Sequence, residues 1–221
     1  MSADMGEGAS GEPEIWPLID AANVACGGHA GDAQSMREAA RCARQHGVAI
    51  GAHPSYPDRA NFGRTSIKMD PAALRETLVE QIAAIAAITP LRHIKAHGAL
   101  YNDAHRDRAL AEILLDAGGN LPIVCSATSQ MAAVARERGV RVVREAFADR
   151  RYEPDGSLTP RNIPGSLLTI EEAAAQARLL ATEGVVIARD GSRVAVACDT
   201  LCIHADMAGS ADRLRAIRAA L

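Results

Sequence analysis

Lysine is nearly missing from this sequence. Its 24 basic residues are 22 arginines and two lysines, Lys68 and Lys95, so a lysine that is kept marks a place where a compact ammonium is wanted and a guanidinium fork is not. Positive charge is not in excess either. A formal net charge of -3 over 221 residues leaves no electrostatic footprint for nucleic acid or for an anionic membrane surface. No apolar run approaches the ~20 residues needed to span a bilayer. The opening "MSADMGEGAS" has neither the basic n-region nor the apolar h-region of a signal peptide, and the expected location is cytoplasmic. No GxGxxG or Walker pattern follows a strand, which argues against a dinucleotide-binding sheet and against a phosphate loop. The five cysteines are odd in number and lack paired-knuckle spacing, so they read as reduced thiols and not as a disulfide framework or zinc knuckle.

What is present is a regular alternation of strands and helices. Strand-like runs fall at 21–26, 48–53, 92–96, 121–126, 140–148 and 199–205, and a stub ending at Asp4 makes a seventh. Helical patterns follow at 33–46, 70–88, about 103–117, 128–138, 170–183 and 209–220, the second opening with Asp70 as N-cap and Pro71 at the first helical position. A hairpin is expected around Asp190-Gly191. Such alternation gives βα units and a parallel sheet. We expect one α/β domain over 1–221, a TIM-like, incomplete (β/α)7 barrel with a truncated first strand, in preference to an open sheet.

In such barrels reactive groups sit at the C-terminal strand ends. Asp4 and Glu7 follow the stub; Asn23, His29 and Asp32 go with the second strand; His53 ends the third; Lys95, His97 and then Tyr101 end the fourth; Asp149 and Arg150 follow the sixth; His204 and Asp206 end the seventh. Alternation along a strand adds direction. In "HIKAHGALYND" His93, Lys95 and His97 share one face while Ile94 and Ala96 share the other. The polar face must point into the barrel, and a buried Lys95 needs a carboxylate partner, for which Asp4 and Glu145 are candidates. Any single strand-end histidine is more often structural. His46 and His105 read as helix-surface residues, His93 as deep, Asp70 as a cap, and Asp32 equally as cap or site residue.

Seven ordered stretches, "ADMGEG", "NVACGGHAGD", "GVAIGAHPSYPD", "FGR", "IKAHGALYND", "EAFADRRYEPDGSLTPR" and "DTLCIHAD", resemble the successive signatures of the LamB/YcsF family, which contains the A subunit of prokaryotic ATP-dependent 5-oxoprolinase. The resemblance implies a barrel related to the glycoside hydrolase/deacetylase barrels. It also implies conversion of 5-oxo-L-proline, ATP and water into L-glutamate, ADP and phosphate, with partner subunits B and C. ATP would be used by the complex. The sequence departs from the family pattern in its short first strand, in Ala96 for proline and in Ala205 for glycine. The short first strand should leave neighbouring edges unpaired unless a partner or a second copy covers them, and a misassigned start would also account for it.

Lactam opening needs a water nucleophile, a base, a proton for the leaving nitrogen and charge stabilisation. The expected catalytic set is Asp4, Glu7, His53, Lys95, His97, Asp149 and His204, with Asp149 or Asp4 as base and His97 or His204 as proton donor. Asn23, His29, Asp32, Tyr101, Arg150 and Asp206 are expected at the substrate. Two other readings stay open: a metal-dependent amide or acetyl hydrolase acting alone, and a non-catalytic scaffold subunit. The residues leave both a divalent metal and a homo-oligomer open.

Overall fold

The computed structural model describes residues 1–204 and 209–221. Seven parallel strands form a closed barrel: β1 (Ser2–Met5), β2 (Ala21–Ala25), β3 (Ala49–His53), β4 (His93–Ile94), β5 (Ile123–Cys125), β6 (Val142–Phe147) and β9 (Thr200–Ile203), with β9 returning to β1. Around them lie α1 (Glu12–Ile15), α2 (Ala33–His46), α3 (Pro71–Ala86), α4 (Gly98–Arg106), α5 (Arg108–Gly118), α6 (Gln130–Glu137), α7 (Ile170–Glu183) and α8 (Ser210–Ala220). The antiparallel pair β7 (Val185–Ile187) and β8 (Arg193–Ala195) stands apart from the barrel. It turns at the expected Asp190-Gly191, where Asp190 Oδ1 accepts from the Ser192 amide and hydroxyl.

The first strand corrects one expectation. It is only four residues long, yet it pairs with β2 from Ser2↔Ala21 to Met5↔Val24 and with β9 at Ser2↔Cys202 and Ala3↔Ile203. No unpaired edge is left between β2 and β9, so no covering partner is needed there. The regular part of β4 is also short. Amides of Arg92, Lys95 and His97 donate to the carbonyls of Ile50, Ala52 and Pro54, which extends its pairing with the third strand on both sides.

Alternation sorts the barrel wall as pleating requires. Ala22, Val24, Ile50, Ala52, Ile94 and Ile123 are buried in the hydrophobic core, while Asp4, Asn23, Gly51 and His93 line up in register across β1 to β4. Gly51 is obligatory in that row: a Cβ there would sit 2.2 Å from His93 Nε2, so only glycine lets the imidazole cross the barrel to Asn23.

The helix expected near 103–117 is in fact two. Asp107 ends α4 in an extended conformation and caps α5, its carboxylate accepting from the Ala109 and Leu110 amides. That cap competes with a continuous helix and breaks it. Because α4 starts at Gly98, Tyr101 lies on a helix and not at the strand end itself. Among the described residues no helix is long and apolar enough to cross a membrane.

Candidate active site

A cavity of about 440 Å³ opens at the C-terminal strand ends. Asp4, Glu7, His53, Lys95, His97, Tyr101, Arg150 and His204 all line it, joined by Phe147 and by Arg64, Arg106 and Arg161 from the surrounding segments. Ala96, expected on the outer face, also borders it. Of the other expected residues, Asn23 and His29 sit buried behind the lining. Asp149, fully buried, lies behind His204. Asp32 is exposed and caps α2, accepting from the Gln34 and Ser35 amides. Asp206 lies outside the described residues, as does Ala205.

The floor is an ion-pair network built on Lys95. Its Nζ donates to Asp4 Oδ1 at 2.9 Å and to Cys202 Sγ at 3.0 Å, and lies 3.4 Å from Glu145 Oε2. Asp4 also accepts from Asn23 Nδ2 at 2.7 Å, and the Asn23 carbonyl oxygen accepts from His93 Nε2 at 2.8 Å. Burial pushes the Asp4 carboxyl up, but His53 and Lys95 outweigh it and hold it well below its ordinary value. Burial likewise opposes the Lys95 ammonium, yet Asp4, Cys202 and Glu145 keep it well above. Both directions describe one charged pair. Burial raises the Cys202 thiol well above its ordinary value even with Lys95 beside it, so it is a neutral neighbour and not a nucleophile.

On the β2–β4 wall stand three imidazoles and Glu7. His29 and His97 stack with centroids 3.6 Å apart and planes 2° apart, and His53 meets both edge-on. One donor atom from each of Glu7, His29, His53 and His97 lies within 4.8 Å of the others. Burial, reinforced by the His53 charge, lowers His29 to about 3 and His97 to about 2, so both rings are neutral near pH 7. Glu7 is presented by a loop wound around another carboxylate: the amides of Gly6, Glu7, Gly8 and Ala9 all donate to Glu12 at 2.9–3.3 Å.

On the β6–β9 wall His204 works with one carboxylate. Asp149 Oδ2 accepts from His204 Nδ1 at 2.9 Å and from its backbone amide at 3.1 Å. Burial raises the Asp149 carboxyl, but His204 and Arg150 together bring it below its ordinary value. Phe147 lies nearly parallel to His204 at 5.6 Å. Burial lowers the Arg150 guanidinium, which is held in place by donation to the Thr159 carbonyl at 2.7 Å.

Two helix glutamines fix the rims. Gln81 on α3 donates to the Ser55 carbonyl and accepts from its amide. Gln176 on α7 donates to the carbonyls of Phe147 and Arg150. Sequence reasoning missed both, along with Glu12 and the arginines at 64, 106 and 161. It also missed Phe62, the one non-glycine residue with positive φ, 55°, among the described residues, whose carbonyl accepts from His97 Nε2 at 3.0 Å. The "FGR" stretch was the available signal: Gly63 has φ 62°, and a Cβ there would come within 2.9 Å of His29.

The LamB/YcsF family model matches residues 1–221. The chain belongs to the LamB/YcsF family. The crystal structure of a lactam utilization protein from Thermus thermophilus is 42% identical, superposes with a TM-score of 0.92, and the match covers 100% of this chain and 94% of that one. More distant structures share the fold alone. One, from Enterococcus faecalis, is described as a candidate cellobiose-phosphate cleavage protein, with TM-score 0.54, 13% identity and 92% and 78% of the two chains covered. Another is the N-acetyl-beta-hexosaminidase of Streptomyces plicatus, with TM-score 0.50, 12% identity and 96% and 59% covered. A TIM-like barrel is therefore the fold of this LamB/YcsF member.

Proposed function

We propose that this chain is the A subunit of an ATP-dependent 5-oxoprolinase, opening the lactam ring of 5-oxo-L-proline to L-glutamate together with partner subunits B and C that use ATP. The observation that carries the reading is the His204–Asp149 pair facing the strand-end cavity. Asp149 accepts the Nδ1 proton, which leaves His204 Nε2 as the atom to take a proton from water and return it to the leaving ring nitrogen. Asp149 holds this tautomer from behind the wall, so the base role expected of it passes to His204.

The cavity matches the substrate in charge. Arg150, Arg64, Arg106 and Arg161 border it, and a guanidinium pairs naturally with a carboxylate such as that of 5-oxoproline. The lactam amide is stable, and the sequence has no phosphate loop, so ATP-dependent activation belongs to the partners. The identity to a lactam utilization protein supports the substrate class.

The test is a coupled glutamate-release assay from 5-oxoproline and ATP, with and without the partner subunits. Turnover should require all three chains and ATP. A second reading, an amide hydrolase acting alone, is favoured by the Glu7–histidine cluster. Turnover by the isolated chain without ATP would establish it and end the first. If His204→Ala and Asp149→Asn both leave the complex at full rate, the chain is a scaffold.

A further inference from the structure

The imidazoles of the β2–β4 wall aim one nitrogen at the backbone and the other at a shared point. His53 Nδ1 lies 2.8 Å from the Lys95 carbonyl oxygen, and His97 Nε2 lies 3.0 Å from that of Phe62. A carbonyl only accepts, so these two nitrogens carry the ring protons. The opposite nitrogens, His53 Nε2 and His97 Nδ1, are then the ones that can offer a lone pair to a ligand, and they face each other at 3.0 Å. Glu7 Oε1 is a third electron-pair donor, 3.4 Å from His97 Nδ1 and 3.8 Å from His53 Nε2. Three possible electron-pair donors thus converge on one point, the geometry in which a cation is held.

We infer that Glu7, His53 and His97 form a binding site for a divalent transition-metal ion of the zinc class. Donors at ~2.0–2.1 Å from a tetrahedral ion are ~3.4 Å from one another; the observed separations are 3.0, 3.4 and 3.8 Å. Two imidazoles and one carboxylate are a donor set that suits zinc and its first-row neighbours and not magnesium or calcium. Both rings have their outer N–H fixed by a backbone carbonyl, the arrangement that sets tautomer and aim in metal-ligating histidines. One of those carbonyls belongs to Phe62, held at a φ of 55°, backbone strain that persists only where the surroundings impose it.

His29 stands outside the ligand set. Its ring is parallel to that of His97 at 3.6 Å, so an ion in the plane of one ring is well out of the plane of the other. Its Nε2 instead donates to Glu7 Oε1 at 3.1 Å and steadies the carboxylate. Glu7, His53 and His97 line the cavity and His29 does not, so the ion's open side faces the cavity, beside Asp4 Oδ2, 3.4 Å from His53 Nε2. There it would supply Lewis acidity to a bound water or substrate oxygen. Nothing in this arrangement depends on which substrate the cavity takes.

Metal binding is read without any turnover assay. The full chain, stripped with chelator and checked for fold by circular dichroism, is dialysed against Zn²⁺ and titrated with Co²⁺, the latter followed by its visible absorption. One ion per chain should bind at micromolar concentration. His53→Ala and His97→Ala should each weaken binding by more than about 100-fold, while His29→Phe, which keeps the stack, should cost about tenfold. Glu7→Gln, nearly isosteric, should weaken binding as the histidine changes do, and it reports on the site if a histidine truncation unfolds the chain. Failure of the folded wild-type chain to bind either ion stoichiometrically would overturn the assignment. So would binding that survives both Glu7→Gln and His97→Ala, or a loss in His29→Phe as large as that in His97→Ala.

Discussion

The two walls of the cavity use histidine in opposite ways. On the β6–β9 side His204 has one partner, the buried Asp149 carboxylate, which takes its Nδ1 proton and leaves the other nitrogen available. On the β2–β4 side His53 and His97 give their outer protons to backbone carbonyls and turn their other nitrogens toward each other. The first geometry suits moving a proton; the second suits holding a cation. The difference lies in what stands behind each ring, a carboxylate or a carbonyl, and not in the residue type.

Lys95 joins the two walls at the floor, with Asp4 on one side and Glu145 on the other. It is therefore the position where one change should damage both. Lys95→Met leaves Asp4 and the fully buried Glu145 side chain without their cation, a loss of about 3–5 kcal/mol when one partner of a buried pair is removed. Urea unfolding of the isolated chain measures it. Adding Asp4→Asn to Lys95→Met should recover part of the loss. If Lys95→Met is as stable as wild type, the floor is not held by charge and the walls are independent.

Asp149→Asn sharpens the contrast on one wall. The substitution keeps size but presents an amide in place of the carboxylate that fixes the His204 tautomer. We expect a fall of about 10²–10³-fold in glutamate release by the reconstituted complex, the scale of a lost general base, with zinc affinity unchanged. An equal fall in both would mean that the walls act as one unit.

Much of this contrast was legible in the sequence, and its limits are physical. Period-two alternation placed His93, Lys95 and His97 on one face, and the rarity of lysine marked Lys95. Partnership between Lys95 and Asp4 or Glu145 followed from the cost of burying a lone charge. Depth was not legible: alternation says which face a residue occupies, not what lies in front of it. Asp149, expected among the catalytic groups, and Asn23, expected at the substrate, are therefore found behind other side chains. Backbone partners were equally hidden. The Phe62 carbonyl behind His97 belongs to an irregular loop with no period to read, and the arginines at 64, 106 and 161 come from such segments or from helix ends. The break at Asp107 was missed because a cap inside an apolar helical pattern looks like an ordinary polar position.

Acid should act on the β2–β4 side before it acts on the other. Burial, aided by the Lys95 and His53 charges, lowers His93 to about 4, against ~6.5 in the unfolded chain. Below pH ~6.5 the unfolded state takes up a proton that the folded state refuses, so stability falls as pH drops toward 4 and levels off for this group beneath that. A shift of this size is worth roughly 3 kcal/mol at full effect. Asp149 behaves as a carboxylate with a depressed value: its contribution is intact above the unfolded value of ~3.9 and goes only as pH falls below it. Unfolding free energies measured from pH 7 to pH 4 should therefore slope downward, and His93→Gln should flatten the slope. A slope unaltered by His93→Gln would assign the acid sensitivity elsewhere.

The smallest expected effect belongs to a residue that stands outside the comparison altogether. Asp32 is exposed, its carboxylate accepts two amides at the start of α2, and Ser35 completes a reciprocal capping box. It does not line the cavity. Asp32→Ala should cost about 1 kcal/mol of stability, the usual loss for an N-cap, and leave both the KM for 5-oxoproline and zinc affinity unchanged. Because α2 follows the segment that carries His29, a change in either quantity would mean that the cap positions the wall as well as the helix. The divide between the two walls would then extend to the helix behind one of them.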